Sequence, residues 1–285
     1  MLLKDVKSIG VVGSGLMGNG IAQVVAQAGF PIVFCDVSME VVSKGYDAIV
    51  GRLQKEVRKG KKSQEEADEI QKRIRLTADY SDLRDVDVVF EAIYENMEVK
   101  KDFYQKIDAI CKESCVFATN TSGLSITEIA SATKRAGQVI GTHFFNPVPV
   151  MELLEIIKGY STSDETYQLM LELGKKIGKT TITVQEAPLF CVNRILVPMM
   201  NEAMFVLSEG SATKEDIDTG MRLGANHPIG PLALADLVGL DTLLMVMETL
   251  YHETADSKYR PCPLLVKMVR AGCYGRKNGR GFYTY

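Results

Sequence analysis

Short apolar runs alternate with longer amphipathic segments over the first two thirds of the chain. The short runs are bounded by glycine or polar residues, as expected of strands buried in a parallel sheet. The segments between them repeat apolar residues at helical spacing, for example over 38–59 and 97–110, and Ser63 with Glu66 predicts a capping box. The predicted strands include 6–12, 30–35, 86–93, 116–119, 139–144, 153–157 and 181–184. We expect about eight in all, enough for a complete dinucleotide-binding sheet with additions.

The pattern changes around 186–188. From Asn193 onward only helix-period segments occur, and they cover 195–208, 214–223, 240–251 and 264–271. The sequence therefore predicts an α/β fold, in which a Rossmann-type wound sheet domain over residues 1–187 is followed by an all-helical C-terminal domain over 188–285. We expect the second domain to serve substrate binding and dimerisation, with its methionines in the helix core or in a dimer seam.

A glycine-rich turn follows the first strand and precedes a helix. Its spacing permits a tight turn, close approach of a pyrophosphate, and close packing of helix on strand, while the free N–H groups of the helix start attract phosphate. An aspartate follows the second strand, eighteen residues beyond the last of these glycines, where an acid can bind the adenosine ribose hydroxyls. Purely structural glycines are the alternative. We expect NAD as cofactor, bound by Gly13, Gly15, Leu16, Met17, Gly18 and Asp36.

Composition narrows the class of protein. The 285 residues carry a formal net charge of −3 at pH 7, so no basic field attracts nucleic acid or an anionic membrane. No segment approaches about eighteen uninterrupted apolar residues. The first predicted strand begins within six residues of the start, which leaves no room for a targeting peptide. Six cysteines without a CxxC pair and only three histidines favour reduced thiols over structural zinc. These features predict a cytoplasmic enzyme without a metal.

Candidate acid/base chemistry centres on His143, at the C-terminal end of a predicted parallel strand, where ligands of open α/β sheets bind. Histidine titrates near neutral pH, so it can take a proton from an alcohol and return it to a ketone. Glu155 lies twelve residues further on, past a proline-rich span able to reverse the chain and bring the carboxylate back to the imidazole. Ser122 and Asn193 can supply hydrogen bonds to a substrate oxygen. The alternatives are a structural histidine and ordinary helix caps.

Five longer motifs lie along the chain, and three of them contain Ser122, His143 or Asn193. They are Asn120-Thr121-Ser122, His143-Phe144-Phe145-Asn146-Pro147-Val148-Pro149-Val150-Met151, Val192-Asn193-Arg194, Asn226-His227-Pro228-Ile229-Gly230-Pro231-Leu232, and the closing Gly275-Arg276-Lys277 with Gly281-Phe282-Tyr283. Together they resemble the (S)-3-hydroxyacyl-CoA dehydrogenase family over essentially all of the chain. The resemblance implies an NAD-dependent oxidation of the C3 hydroxyl of an acyl-CoA thioester. It also implies a homodimer.

The resemblance assigns roles to further residues. His143 becomes the general base, Glu155 its partner, and Ser122 and Asn193 the groups that hold the substrate oxygen. It implies that Glu95 and Lys100 line the nicotinamide side of the cofactor site and that Asn120 also binds the cofactor. It makes Lys55 and Lys59 candidates for the CoA end of the substrate site. The basic run that contains the last two lysines would by itself predict only a solvated helix end.

Two positions depart from the family pattern. Gly123 follows Ser122 where the family usually has a second serine, and Leu189 stands between Pro188 and Phe190 where the family usually has glycine. A glycine there permits positive φ, which leucine holds only at a cost of about 1–2 kcal/mol. We therefore expect this link to be either strained or differently shaped.

Two other functions stay open at the level of sequence. One is a related β-hydroxyacid dehydrogenase, a group that commonly uses a lysine base. The other is a catalytically inactive binding or structural protein on the same scaffold. Loss of activity on replacing His143 would argue against the first, and the intact set of Ser122, His143, Glu155 and Asn193 argues against the second.

Overall fold

Eight strands form one sheet, and seven of them match the predicted apolar runs. The computed structural model describes all 285 residues. The strands are β1 (Ile9–Val12), β2 (Ile32–Cys35), β3 (Ile74–Thr77), β4 (Val88–Glu91), β5 (Val116–Thr119), β6 (Val139–Phe144), β7 (Leu153–Lys158) and β8 (Thr180–Gln185). Their order is β3-β2-β1-β4-β5-β6-β7-β8. Every neighbouring pair is parallel except β6 with β7. The carboxyl ends of the first six strands therefore meet at one edge, where ligands of such sheets bind.

Six helices alternate with the strands and five follow them. The first group is α1 (Leu16–Gln27), α2 (Met39–Arg58), α3 (Gln64–Lys72), α4 (Met97–Ile110), α5 (Ile126–Ser131) and α6 (Asp164–Lys176). The second group is α7 (Val192–Ser208), α8 (Lys214–Gly224), α9 (Pro231–Val238), α10 (Leu240–Thr254) and α11 (Pro263–Arg270). The expected α/β fold with a helical C-terminal part is confirmed.

The chain divides into two units, Met1–Phe190 and Cys191–Tyr285. The first contains the whole sheet and its helices, and the second contains α7 to α11. None of the helices combines the length and the hydropathy that a membrane span requires.

Local sequence explains most helix starts. Ser38 caps α2 by accepting a hydrogen bond from the Val41 N–H, and the predicted capping box of Ser63 and Glu66 starts α3. Helix α1 differs, because its N-cap is Gly15 and no side chain accepts a hydrogen bond there. The first N–H groups of α1 are therefore available to a ligand.

Three elements are not predicted by the sequence pattern. Strand β3 lies at the edge of the sheet, pairs only with β2, and exposes Arg75 in its middle, so it lacks a continuous apolar run. Helix α5 has six residues, too few for a helical period to stand out, and α9 is apolar at every position except Asp236, so no polar face marks its period.

The last residues of the second unit are hydrogen-bonded to a buried carboxylate on α9. Asp236 is fully buried and accepts hydrogen bonds from the backbone N–H groups of Phe282 and Tyr283 at 3.0 and 2.9 Å. A Cβ atom at Gly281 would collide with this carboxylate. The glycine in the closing motif is therefore required by close approach.

Candidate active site

The glycine turn is tightly packed at its first and third glycines and open at its second. Gly13 has φ +91°, and a Cβ atom on it would meet the carbonyl oxygen of Ala92. A Cβ atom on Gly18 would meet the carbonyl oxygen of Gly13, whereas a Cβ atom on Gly15 would have no neighbour within 4 Å. The first and third glycines thus serve the turn and the helix packing, and Gly15 leaves open space beside the uncapped start of α1.

Asp36 follows β2 and is tied directly to this turn. Its Oδ2 atom accepts hydrogen bonds from the backbone N–H and the hydroxyl of Ser14, at 2.5 and 2.6 Å, and its Oδ1 atom accepts one from the Val37 N–H at 2.7 Å. Burial, and then the charge of Asp36, raise the pKa of the neighbouring Cys35 thiol to about 12. That thiol therefore stays neutral, and the carboxylate is the charged group at this end of the site.

A cavity of about 310 Å³ lies at the carboxyl ends of β4, β5 and β6. Most of the predicted site residues of the first unit that follow these strands reach its wall. Its lining consists of Met17, Ala92, Ile93, Glu95, Asn120, Ser122, His143, Phe144, Phe145 and Asn146. Leu16, by contrast, is 65% exposed and does not line this cavity.

His143 and Glu155 face each other across the antiparallel pair of β6 and β7. The Nδ1 atom of His143 lies 2.6 Å from Oε2 of Glu155, and both residues are buried. An ionised carboxylate can only accept a hydrogen bond, so Nδ1 is the donor in this pair and Nε2 is not engaged by Glu155. The pair therefore presents Nε2 as the nitrogen able to exchange a proton with a ligand.

Neighbouring groups hold the imidazole and the chain reversal that brings Glu155 back. The rings of Phe145 and Phe190 lie 4.5 and 5.7 Å from the His143 ring, centre to centre. The buried ammonium of Lys179 donates to the carbonyl oxygens of Val148 and Met151 at 2.5 and 2.7 Å, within the segment that joins β6 to β7. Burial lowers the pKa of Lys179. These contacts fix the turn on which the pairing of His143 with Glu155 depends.

Glu95 holds the loop that carries Ser122. Its Oε1 atom accepts hydrogen bonds from the Thr121 hydroxyl at 2.5 Å, from the Ser122 N–H at 2.8 Å and from the Ser122 hydroxyl at 3.2 Å. The last of these is long for a hydroxyl donor, so the Ser122 hydroxyl can exchange it readily for a substrate oxygen. Asn120, one residue before this loop, accepts from the Phe144 N–H at 3.0 Å and joins the ends of β5 and β6.

Lys100 does not lie on the cavity wall. Its side chain is fully buried, 2.6 Å from a carboxylate oxygen of Glu91 and 3.4 Å from one of Glu95. The expectation that it lines the nicotinamide side is therefore wrong for direct contact. The buried Glu91 carboxylate at the end of β4 needs a cation, and Lys100, one helical turn into α4, supplies it.

Two family models match the chain, and together they cover nearly all of it. The 3-hydroxyacyl-CoA dehydrogenase NAD binding domain matches residues 8–187, and the C-terminal domain of the same enzymes matches residues 190–285. The chain belongs to the 3-hydroxyacyl-CoA dehydrogenase family. It is an NAD-dependent oxidoreductase of that family.

Individual relatives are similar over almost their whole length. A probable 3-hydroxybutyryl-CoA dehydrogenase of Bacillus subtilis is 48% identical over 281 residues, which cover 99% of this chain and 98% of the relative. A 3-hydroxybutyryl-CoA dehydrogenase of Clostridioides difficile is 49% identical over 277 residues, 97% of this chain and 99% of the relative. The crystal structure of an (S)-3-hydroxybutyryl-CoA dehydrogenase from Ralstonia eutropha superposes with a TM-score of 0.97 at 50% identity, covering 99% of both chains.

The residues of the first unit fit NAD. The open space at Gly15 and the uncapped α1 offer backbone N–H donors to a pyrophosphate. Asp36 lies at the end of β2 and can accept hydrogen bonds from ribose hydroxyls, while Met17, Glu95 and Asn120 line the cavity that contains His143. The glycine turn and His143 thus lie along the same edge of the sheet.

The remaining predicted residues lie elsewhere in the structure. Lys55 is in the last turn of α2 and Lys59 caps that helix; both are exposed and neither forms an ion pair. Asn193 is in the first turn of α7, at the start of the second unit. Leu189 has φ +62°, so the strained form of the link is the one present.

Sequence reasoning missed three residues that shape the site. Ser14 and Glu91 left a signal, because a hydroxyl between two turn glycines and a carboxylate ending an apolar strand both need partners. Lys179 left none, since its two carbonyl partners lie about thirty residues away and belong to a turn whose shape depends on the folded sheet.

Asp36 predicts the cofactor preference. A 2′-phosphate about 4–5 Å from this carboxylate would meet a repulsion of about 3–4 kcal/mol at an effective dielectric constant of 20, before screening by salt. The residues directly after Asp36 are Val37 and Ser38, so no arginine stands there to offset this repulsion. We expect catalytic efficiency with NADH to exceed that with NADPH by at least about tenfold, which requires only about 1.4 kcal/mol.

The measurement is steady-state kinetics of the wild type and of Asp36→Ser with NADH and with NADPH. The substitution should lower the ratio of catalytic efficiency with NADH to that with NADPH. Glu40→Ser removes the same charge from an exposed position early in α2 and should leave the ratio unchanged. Equal efficiencies in the wild type would refute the assigned role of Asp36.

Proposed function

We propose that the protein catalyses the NAD(H)-dependent interconversion of (S)-3-hydroxybutyryl-CoA and acetoacetyl-CoA. The observation that carries the proposal is the buried pair of His143 and Glu155 on the wall of a cavity that also contains Ser122. The relatives of similar length and about 50% identity, all named for this dehydrogenase activity, support the four-carbon substrate. The reaction would serve fatty acid or butyrate metabolism.

The proposed roles follow from the hydrogen bonds. In oxidation Nε2 of His143 accepts the proton of the C3 hydroxyl, and Glu155 stabilises the imidazolium that forms. The chemistry that NAD supplies when bound is acceptance of the hydride from C3. The Ser122 hydroxyl donates to the substrate oxygen, and we assign the second donor to the Asn193 side chain. In the reduction of acetoacetyl-CoA, His143 returns the proton.

A lysine-based mechanism does not suit this site. No lysine is among the residues that line the cavity. Lys100, next to it behind Glu95, is fully buried and paired with two carboxylates, so it cannot reach a substrate hydroxyl. The related β-hydroxyacid dehydrogenases are therefore the weaker interpretation.

Lys55 and Lys59 are proposed to bind the phosphates of CoA. They lie one helical turn apart, so their side chains leave the same face of α2. Both ammonium groups are exposed and free of carboxylate partners. Such a pair can meet the phosphates of CoA without first breaking an ion pair.

A homodimer in the cytoplasm is the proposed state of the protein. The second unit exposes several large apolar side chains, which are Ile195 (68%), Leu223 (79%), Leu237 (51%) and Met245 (58%). Apolar surface of this kind is typical of an interface. All six cysteines are free thiols, which suits a reducing compartment.

The central test is a double-mutant cycle on the reduction of acetoacetyl-CoA, followed by NADH consumption. We expect His143→Gln to lower kcat by about 1,000-fold and Glu155→Gln by about 100-fold. Because Glu155 acts through His143, the double variant should be little worse than His143→Gln alone. Glu152→Gln, an exposed carboxylate three residues earlier, is the control and should keep wild-type kcat. If the losses of kcat in the two single variants add in the double variant, Glu155 does not act through His143. If the wild type does not reduce acetoacetyl-CoA, the proposed function is rejected.

The CoA contacts are tested with a truncated substrate. Replacing Lys55 and Lys59 together by alanine should raise KM for acetoacetyl-CoA by about five- to tenfold at low salt, and less at high salt, because exposed charges are screened. Turnover of the N-acetylcysteamine thioester, which lacks the phosphates, should not change. Lys175→Ala with Lys176→Ala, two exposed lysines at the end of α6, is the matched control. An equal loss on both substrates would point to folding or chemistry instead.

The dimer is tested by sedimentation. We expect twice the chain mass of 31.4 kDa for the wild type. Charged replacements of Leu223 and Met245 should shift the protein to the single-chain mass, because two carboxylates would have to be buried in the interface. Tyr160→Glu, at a 92% exposed position of the first unit, should remain dimeric. A wild-type monomer at assay concentration would contradict the proposal.

A further inference from the structure

The two departures from the family pattern meet in the folded chain. Residues Ala187–Phe190 form a tight turn in which the Phe190 N–H donates to the Ala187 carbonyl oxygen at 3.0 Å. Pro188 and Leu189 are its central residues, and the positive φ of Leu189 is that of the third position of a type II turn, which glycine usually occupies. Leu189 is nevertheless only 3% exposed, so its side chain packs inside the protein and does not lie on the surface.

The Leu189 side chain fills the space that any side chain at position 123 would need. A Cβ atom built on Gly123 would lie 2.9 Å from Cδ2 of Leu189, a separation that real Cβ atoms essentially never show. Apart from the chain neighbours of Gly123, no other atom comes within 4 Å. The φ of Gly123 lies outside the left-handed region, so the backbone alone would accept an alanine there. An alanine at 123 would therefore require the buried Leu189 side chain to move aside.

Each member of this contact adjoins a group of the active site. Gly123 follows Ser122, and its N–H donates to the Thr121 hydroxyl, which in turn donates to Glu95. Leu189 precedes Phe190, whose ring lies 5.7 Å from that of His143. The contact thus joins the loop of the oxygen-binding serine to the segment that packs on the acid/base histidine.

We propose that Gly123 and Leu189 are a size-matched positioning pair, in which the leucine side chain, packed on the glycine, sets the Ser122 loop against the Phe190 segment. Neither residue lines the cavity, so the pair acts through its neighbours. The effect of the pair on catalysis rests on the proposed roles of Ser122 and His143. The contact between the two residues does not depend on those roles.

The test is a cycle of Gly123→Ala and Leu189→Ala. Alanine at 189 keeps the positive φ and removes Cδ2, so it isolates the contact from the backbone strain. In the wild-type background we expect Gly123→Ala to lower the melting temperature by about 2 °C or more. It should also lower kcat by about three- to tenfold, since small displacements of catalytic groups are costly, while KM for NADH stays within about twofold. In the Leu189→Ala background the same change should leave kcat within about twofold and leave the melting temperature unchanged or higher.

Gly51→Ala is the matched control, because a Cβ atom there, on α2, has no neighbour within 4 Å. It should leave kcat unchanged, and because alanine favours a helix over glycine it should raise the melting temperature by the same amount in both backgrounds. If the single variant Gly123→Ala is insoluble, the yield of soluble double variant is compared with that of Leu189→Ala. A similar yield of the two would show that removing the leucine side chain relieves the effect of the alanine.

The outcomes separate this inference from the proposed function. Equal costs of Gly123→Ala in both backgrounds would overturn the pair. If the effect of Gly123→Ala on the melting temperature depends on residue 189 but its effect on kcat does not, the two residues form only a packing contact and the positioning role is overturned. If the wild type does not reduce acetoacetyl-CoA, the proposed function fails, whereas the melting-temperature cycle still decides whether the two residues are matched in size.

Discussion

In the antiparallel pairing of β6 with β7, His143 stands directly opposite Glu155. Residues opposite each other in such a pair point to the same face, and a slip of one residue would carry the carboxylate to the other face of the sheet. Both groups are buried, so an imidazole or carboxylate without its partner would be costly. The same register therefore orients the imidazole, fixes Nδ1 as the donor to Glu155, and satisfies two buried polar groups. The turn that Lys179 holds through two carbonyl oxygens makes this register possible.

The remaining chemistry is arranged along one edge because the strands beside β6 are parallel. The turn after β1 and the aspartate after β2 form the cofactor end, and the loops after β4 and β5 hold the cavity wall. Glu95 joins these last two loops, since it follows β4 and accepts three hydrogen bonds from Thr121 and Ser122 after β5. The buried Lys100 ammonium pairs closely with Glu91 and lies 3.4 Å from Glu95. A buried cation thus supports the carboxylate that holds the Ser122 loop, while the Ser122 hydroxyl can exchange its partner.

Much of this could be predicted from the sequence because its causes are local. The apolar runs, the capping box of Ser63 and the glycine spacing around Gly15 each reflect physics confined to a few neighbouring residues. The reversal between His143 and Glu155 was accessible for the same reason, since a short proline-rich span separates them. Strand β3 was not predicted because an edge strand buries only part of its surface. Helix α5 was missed because it is very short, and α9 because it is apolar nearly throughout and shows no polar face.

The sequence by itself determined the fold class, the cofactor turn, and which side chains could do acid/base chemistry, because each depends on residue type and short-range spacing. Only the tertiary structure decided that Lys100 lies behind Glu95, that Ser14 holds Asp36, and that Leu189 fills the space beside Gly123. The last two contacts join residues from different loops, and the first joins a loop to helix α4; all three depend on how the elements pack in the folded sheet. A pattern along the chain can show that a buried charge or an unusual residue needs a partner, but packing in three dimensions selects which one.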